Sequence, residues 1–314
     1  MAKILITESV HPIGPELLTA AGHTVVYADR DMDIIRREIV DADAVLVRQR
    51  HSLRQLFRCE IAGKRAHAEA CPRQGYDNIA LDYCKSHGIT VTITPNANSL
   101  SVAEHAFTLM LTLAKNIIPV SNEYREIGFA AKNHAPGIEM TGKTLGLIGM
   151  GRIGKHVLHM CKDGLDMHVI VYDPYISEVP EGVERVDDLS ELLRRADVVT
   201  LHCLLTDETR KLIDRERLAL MKPTALLINC ARGPIVDEAA LIEALENGRL
   251  AGAGLDVTDP EPVAPDSPLF KLPNVIVTPH YAPTTVESAT RVSKIAAENI
   301  NAVLAGQEPV GRIV

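Results

Sequence analysis

The residues best equipped for chemistry lie in the second half of this 314-residue chain. Gly149-Met-Gly151-Arg152-Ile153-Gly154 has the GxGxxG spacing, follows the apolar run Leu145 to Ile148 and precedes a stretch of helical period. Strand, glycine turn and helix together form the context in which this motif binds a dinucleotide. Gly149 permits a tight turn, Gly151 lets backbone approach a pyrophosphate, and Gly154 lets helix pack on strand. The helix start then offers free N–H groups and a positive dipole end to the phosphates. Nineteen residues beyond Gly154, at the end of the next apolar run, stands Asp173. A carboxylate there accepts hydrogen bonds from ribose hydroxyls and repels a 2′-phosphate, which favours NAD over NADP.

Three more segments end apolar runs in the same half. Asn229-Cys230-Ala231-Arg232-Gly233 places a guanidinium where it can bind a carboxylate in bidentate fashion and polarise a neighbouring carbonyl. Gly254-Leu-Asp256-Val-Thr-Asp259-Pro-Glu261-Pro262 gathers three acids at another strand mouth. Val277-Thr278-Pro-His280 ends a third, and of the twelve histidines only His280 and His202 occupy strand ends in this half. A histidine beside a carboxylate favours its protonated form and can donate a proton to a carbonyl. Hydride transfer from a nicotinamide needs that donor, together with a cation for the substrate carboxylate.

These segments must be positioned by a regular framework, and short β-branched runs alternate with helix-period stretches along most of the chain. Ile4 to Ile6, Thr24 to Tyr27, Ala44 to Val47 and Ile89 to Ile93 read as buried strands. Helical periods at 15–21, 32–40 and 79–86 lie between them. A second series of strands starts at Thr144, His168, Val198, Ala225, Gly252 and Val275, with helices at 152–163, 187–195 and 237–247. The alternation implies parallel sheets with helices on both faces. Between the two series, Ser99 to Val120 reads as one long apolar helix opened by cap signals at Ser99 and Ser101-x-x-Glu104. Either it is simply buried, or its apolar faces exceed the needs of one domain and point to a homodimer.

The length suggests about two domains. A net charge of −8 argues against a nucleic-acid partner bound by bulk charge, and no apolar run is long enough to span a membrane. The N-terminal residues lack the pattern of a signal peptide. The six cysteines form no CxxC pair, so they read as reduced thiols of a cytoplasmic protein, without a metal site. From His51 to Gln74 the rhythm stops: there is no β-branched run where the first series needs a strand, and basic residues outnumber acidic ones five to two. Three readings stay open for this stretch: a basic recognition patch, a solvated irregular insert, or a local reading-frame slip in the encoding gene.

The chain resembles the D-isomer-specific 2-hydroxyacid dehydrogenase family, which includes D-3-phosphoglycerate, D-lactate, glyoxylate and hydroxypyruvate enzymes. Its motifs follow the family's order at Gly75-Tyr-Asp-Asn-Ile79, Thr94 to Glu104, Gly149 to Gly154, Cys230 to Gly233, Gly254 to Val257 with Glu261-Pro262, and Thr278-Pro-His280. The resemblance implies an α/β protein of two doubly wound parallel-sheet domains. A Rossmann NAD-binding domain (98–284) would be inserted in a flavodoxin-like substrate domain (1–97 plus 285–314), the latter completed by a C-terminal helix. Arg232 would anchor the substrate carboxylate, His280 would be the acid/base and Glu261 its partner. NAD contacts would come from Gly149, Gly151, Arg152, Ile153, Gly154, Asp173, Thr206, Cys230, Ala231 and Asp256, and substrate contacts also from Arg48 and Gly75. The small-molecule partner would be a 2-hydroxy or 2-keto acid, with no nucleic acid and no membrane.

Some residues depart from the family pattern. Cys71-Pro72-Arg73-Gln74 stands where the family has a glycine-rich substrate loop, Leu204 replaces a usual proline, and Tyr281-Ala-Pro follows His280. The end of the chain at Val314 leaves no regulatory domain to expect. A non-catalytic NAD-binding module, an inactive product of a disrupted 51–74 stretch, and phosphite oxidation on the same scaffold are the rival functions.

Overall fold

The structure is a computed structural model that describes residues 1–47, 69–71, 79–133 and 136–314. The chain divides into two compact units, Met1–Asn98 with Thr284–Val314, and Ser99–Pro283. Among the described residues no helix is long and apolar enough to cross a membrane.

The first unit carries β1 (Lys3–Ile6), α1 (Ile13–Ala20), β2 (Thr24–Tyr27), α2 (Met32–Glu38), β3 (Ala44–Leu46), β4 (Glu69–Cys71), α3 (Leu81–Ser86) and β5 (Val91–Ile93). Its all-parallel sheet runs β2-β1-β3-β4-β5, the order of flavodoxin-like sheets. Side chains alternate across it as period two requires. Leu5 and Val45 pack on Ile35 and Ile39 of α2. Ile4, Ile6, Ala44 and Leu46 face Leu18 and the C-terminal helix, at Ala296, Ala297 and Ile300. That helix spans Val286–Leu304 and is capped by the Thr285 hydroxyl, which accepts the Ser288 N–H. Gly14 lets it approach α1 closely, because a Cβ there would overlap Ser293.

One expectation fails here. The stretch 51–74 supplies a strand after all, β4, which pairs with β3 on one side and β5 on the other. It lacks the β-branched residues that signal a strand, and its place is set by backbone pairing to two neighbours, which no local pattern reveals.

The second unit begins with α4 (Ser99–Ala114) and α5 (Ile117–Ile127). The single helix expected over 99–120 is broken at Asn116, which adopts a left-handed φ of 50°. α4 buries Val102, Ala103, Ala106, Leu109 and Met110, whereas α5 has no fully buried residue and exposes Ile117, Ile118, Tyr124 and Ile127. A long buried helix is therefore half right.

The strands of this unit are β6 (Thr144–Ile148), β7 (His168–Tyr172), β8 (Val183–Arg185), β9 (Val198–Leu201), β10 (Leu226–Asn229), β11 (Gly252–Leu255) and β12 (Val275–Val277). They form one parallel sheet ordered β12-β11-β10-β9-β6-β7-β8, a doubly wound order that reverses between β6 and β9. Helices α6 (Arg152–Leu165), α7 (Leu189–Arg195), α8 (Arg215–Leu218) and α9 (Glu238–Glu246) connect it. Leu145, Leu147, Val198 and Ile228 pack on one side with α4 and α6, while Val199, Leu201, Leu227 and Leu255 pack on the other with α7 and α9. Burial of both faces explains why these strands read as continuous apolar runs rather than alternating ones.

Candidate functional site

All candidate residues from Gly149 to His280 lie in the second unit, where sequence-distant strands end on one edge of the sheet. At the end of β6, Gly149 turns with φ +89°, and a Cβ there would stand 2.7 Å from the Cys203 nitrogen. Gly154 has the same constraint against the Gly149 carbonyl. Around Gly151 a Cβ would meet nothing within 4 Å. Gly151 caps α6 without any side-chain hydrogen bond, and no acid stands in the helix's first turn. The first turn of this long helix thus opens its N–H groups to space beside a bare backbone, which fits a pyrophosphate. Arg152 is exposed there, and Ile153 is half-buried with one side packed into the core.

Asp173 ends β7 and ties the turn together. Its Oδ2 accepts the Met150 N–H at 2.9 Å and its Oδ1 accepts the Tyr175 N–H at 3.0 Å. The carboxylate is thereby fixed beside the glycine turn with lone pairs to spare for ribose hydroxyls. Thr206 is exposed and holds its own loop, through its N–H and hydroxyl to the Thr209 hydroxyl. Cys230 and Ala231 are buried, and burial raises the Cys230 thiol pKa well above its usual range. Cys230 is therefore an uncharged packing residue at this edge, with no thiolate to offer.

Arg232 follows β10 in extended backbone and its Nη1 donates to the Ala231 carbonyl at 2.7 Å. The turn that carries it is braced from inside by Asn229, which is 1% exposed. Asn229 Oδ1 accepts the Ala231 N–H at 3.0 Å and its Nδ2 donates to the Arg232 carbonyl at 3.0 Å. Gly233 then lets this turn abut the next one, because a Cβ would overlap the Thr258 carbonyl. The Arg232 turn and the 256–262 loop are thus packed backbone to backbone. Glu238 fixes that loop from α9 by accepting the Asp259 N–H at 2.9 Å, and its burial raises its pKa. Asn229 and Glu238 were not singled out from the sequence, where nothing separates them from ordinary strand-end and helix-start residues.

His280 meets Glu261 at 2.6 Å, Nδ1 to Oε1. The ring is 17% exposed and the carboxylate 43%. Nδ1–H therefore points to Glu261, which orients the ring for proton exchange through Nε2. The backbone of His280 has φ +54°, a left-handed conformation that a non-glycine residue holds only where its surroundings over-determine it. They do so here: its N–H lies 2.8 Å from the Asp256 carbonyl and 2.9 Å from that of Thr278. Asp256, 1% exposed, accepts the Tyr281 N–H at 2.6 Å, the Ala282 N–H at 2.9 Å and the Thr278 hydroxyl at 2.6 Å. This carboxylate is the centre of the loop that presents His280.

His202, the other strand-end histidine, has a different environment. Its Nε2 faces the Thr200 hydroxyl at 2.8 Å, its Nδ1 is enclosed with no hydrogen bond, and burial pushes its pKa down to about 3. It is neutral at ordinary pH and has no carboxylate partner. Arg48 and Gly75 lie outside the described residues. Among the described residues no group of three or more His, Cys, Asp and Glu could hold a metal ion.

The fold and site so described define a class. Residues 107–282 match the NAD binding domain of the D-isomer specific 2-hydroxyacid dehydrogenases, and the chain belongs to that family. It is 41% identical to a D-3-phosphoglycerate dehydrogenase of Methanocaldococcus jannaschii over 98% of this chain and 58% of that one. It is 36% identical to a glyoxylate reductase of Thermofilum pendens over 98% of this chain and 93% of that one. A crystal structure of a Thermus thermophilus protein superposes with a TM-score of 0.90 at 34% identity, covering 99% of this chain and all of the other. The chain spans 55 to 58% of the lengths of three phosphoglycerate dehydrogenases that it matches.

Proposed function

We propose that the protein is an NAD-linked oxidoreductase that interconverts a D-2-hydroxy acid and its 2-keto acid. The observation that carries this reading is the His280–Glu261 pair at 2.6 Å on the sheet edge that also bears the Gly149–Gly154 turn. When bound, the nicotinamide supplies or accepts hydride. The chain's own residues do the rest. Asp173 binds the adenosine ribose and selects against a 2′-phosphate, while the first turn of α6 receives the pyrophosphate. Arg232 binds the substrate carboxylate. His280 gives its Nε2 proton to the carbonyl oxygen in reduction and takes it back in oxidation, with Glu261 stabilising the charged ring.

Arg48 and Gly75 are proposed as further substrate contacts, and 1–97 with 285–314 as the substrate domain. The proposed substrate class is that in the relatives' names, 3-phosphoglycerate or glyoxylate, with hydroxypyruvate beside them from the family resemblance. A homodimer is supported by the apolar surface at Ile117, Ile118, Tyr124, Ile127 and Phe129, and light scattering after gel filtration tests it. Cys161, Cys203 and Cys230 stand in no disulfide, which supports the proposal of a cytoplasmic protein.

The decisive experiment presents hydroxypyruvate, glyoxylate, pyruvate and 3-phosphohydroxypyruvate with NADH and follows loss of nicotinamide absorbance. Turnover of at least one acid is expected. Tight NADH binding without turnover of any would replace this reading by that of a non-catalytic NAD-binding module.

A further inference from the structure

We propose that His105 is a positioning residue for His280, acting through the Thr278 hydroxyl and the buried carboxylate of Asp256. His105 stands in the second turn of α4, 173 residues before Thr278, and belongs to none of the strand-end segments. Its Nε2 lies 3.0 Å from Thr278 Oγ1, which in turn lies 2.6 Å from Asp256 Oδ1.

The protons in this chain can be placed by counting. Both Asp256 oxygens accept backbone N–H groups, from Tyr281 and Ala282, so the carboxylate has acceptors only to offer. The single proton of the Thr278 hydroxyl is therefore directed at Asp256. That leaves the hydroxyl oxygen as an acceptor, and the nitrogen facing it must carry hydrogen. His105 is thus an Nε2–H donor at the head of a relay, His105 to Thr278 to Asp256. Burial lowers its pKa against the pull of Asp256, so the ring does this work uncharged. The Tyr281 ring closes the other side edge-on, with centroids 6.1 Å apart.

The relay matters because of what hangs on Asp256. Thr278, Tyr281 and Ala282 bond to its side chain and His280 to its carbonyl. Three of these bonds flank the residue with the left-handed backbone, and the fourth is its own N–H. Removing the donor at His105 frees the Thr278 hydroxyl to rotate away from Asp256, and the His280 ring loses its fixed aim at Glu261 and at the substrate oxygen. His105 bonds to Thr278 and stands 3.6 Å from Asp256 Oδ1, so its effect on His280 passes through these two residues.

The kinetic arm of the test rests on the proposed dehydrogenase reading, whereas the spectroscopic arm does not. His105→Leu removes the donor at similar volume, and His105→Gln keeps an N–H near the Nε2 position. With the keto acid that the wild type reduces, His105→Leu is expected to lower kcat about ten- to a hundredfold with KM changed less than about threefold, and His105→Gln to recover most of the loss. Independently, the downfield Nδ1–H resonance of His280 in ring-labelled protein should broaden or shift in His105→Leu and in Thr278→Val, and stay in place in His105→Gln. NADH binding and the thermal midpoint should hold in His105→Gln. A wild-type resonance and kcat in His105→Leu would overturn the proposal. So would equal impairment of the Leu and Gln variants with a common fall in thermal midpoint, the mark of mere packing. Should the wild type reduce no keto acid, the dehydrogenase reading falls and the resonance alone decides this inference.

Discussion

Two strands of one sheet close on a histidine, and the two residues are built for opposite purposes. At the close of β12, His280 sits on strained backbone with Nδ1 against a carboxylate, and the loop behind it is tied to Asp256 at every turn. At the close of β9, His202 has a hydroxyl on one nitrogen, nothing on the other, and a pKa near 3. A strand end brings both rings to the same edge of the sheet. What separates them is the partner: a carboxylate from a loop nineteen residues away for His280, and a threonine hydroxyl two residues away for His202.

The contrast can be broken by substitution, and the largest effect belongs to the β12 side. His280→Ala should cut turnover by roughly two to four orders of magnitude while NADH binding, read by nicotinamide fluorescence, survives. Equal loss of both would remove His280 from the role of acid. Glu261→Gln keeps the side chain's shape but not its charge, and should lower kcat about ten- to a hundredfold in steady-state assays, with less effect on KM. At the β7 end, toward the far side of the sheet from β12, Asp173→Ala removes the proposed acceptor for ribose and the acceptor of the Met150 N–H. It should weaken NADH about tenfold to thirtyfold in a fluorescence titration while NADPH weakens less or gains.

The β9 side predicts a stability effect in place of a catalytic one. The pKa of His202 is depressed in the fold from 6.5 to about 3, so the unfolded chain binds this proton more readily. The associated stability is complete above the unfolded value and is lost as pH falls from there toward 3. The wild type should therefore lose about 2 kcal/mol through this residue between about pH 7 and about pH 5. Urea unfolding of His202→Gln across that range should show a shallower slope, and kcat should keep its pH profile.

Much of this arrangement is written in short-range pattern. The glycine turn, Asp173 and the strand-end runs announce themselves because each rests on a local rule: a positive φ, a close approach, an apolar stretch buried on both faces. His280 and Glu261 stand out singly at strand ends, but their pairing came only with the family resemblance, since nineteen residues separate two groups that the fold brings to 2.6 Å. His105, Asn229 and Glu238 were invisible. Their function is to accept or donate one hydrogen bond to a loop, and no residue type or spacing encodes that. The break at Asn116 went unread because an asparagine in a left-handed conformation looks like any polar residue within a helix. β4 went unread because its three residues have no strand composition.

That last strand has a wider consequence. β4 lies inside its sheet, with Val45 and Leu46 opposite on one flank and Val91, Thr92 and Ile93 on the other. Its membership is settled by main-chain groups, which every residue except proline possesses in full. The middle of the sheet is thus a place where sequence can drift far while topology stays put. A preserved fold testifies little to the ancestry of this stretch, and a lineage could rewrite it wholesale before the architecture registered the change.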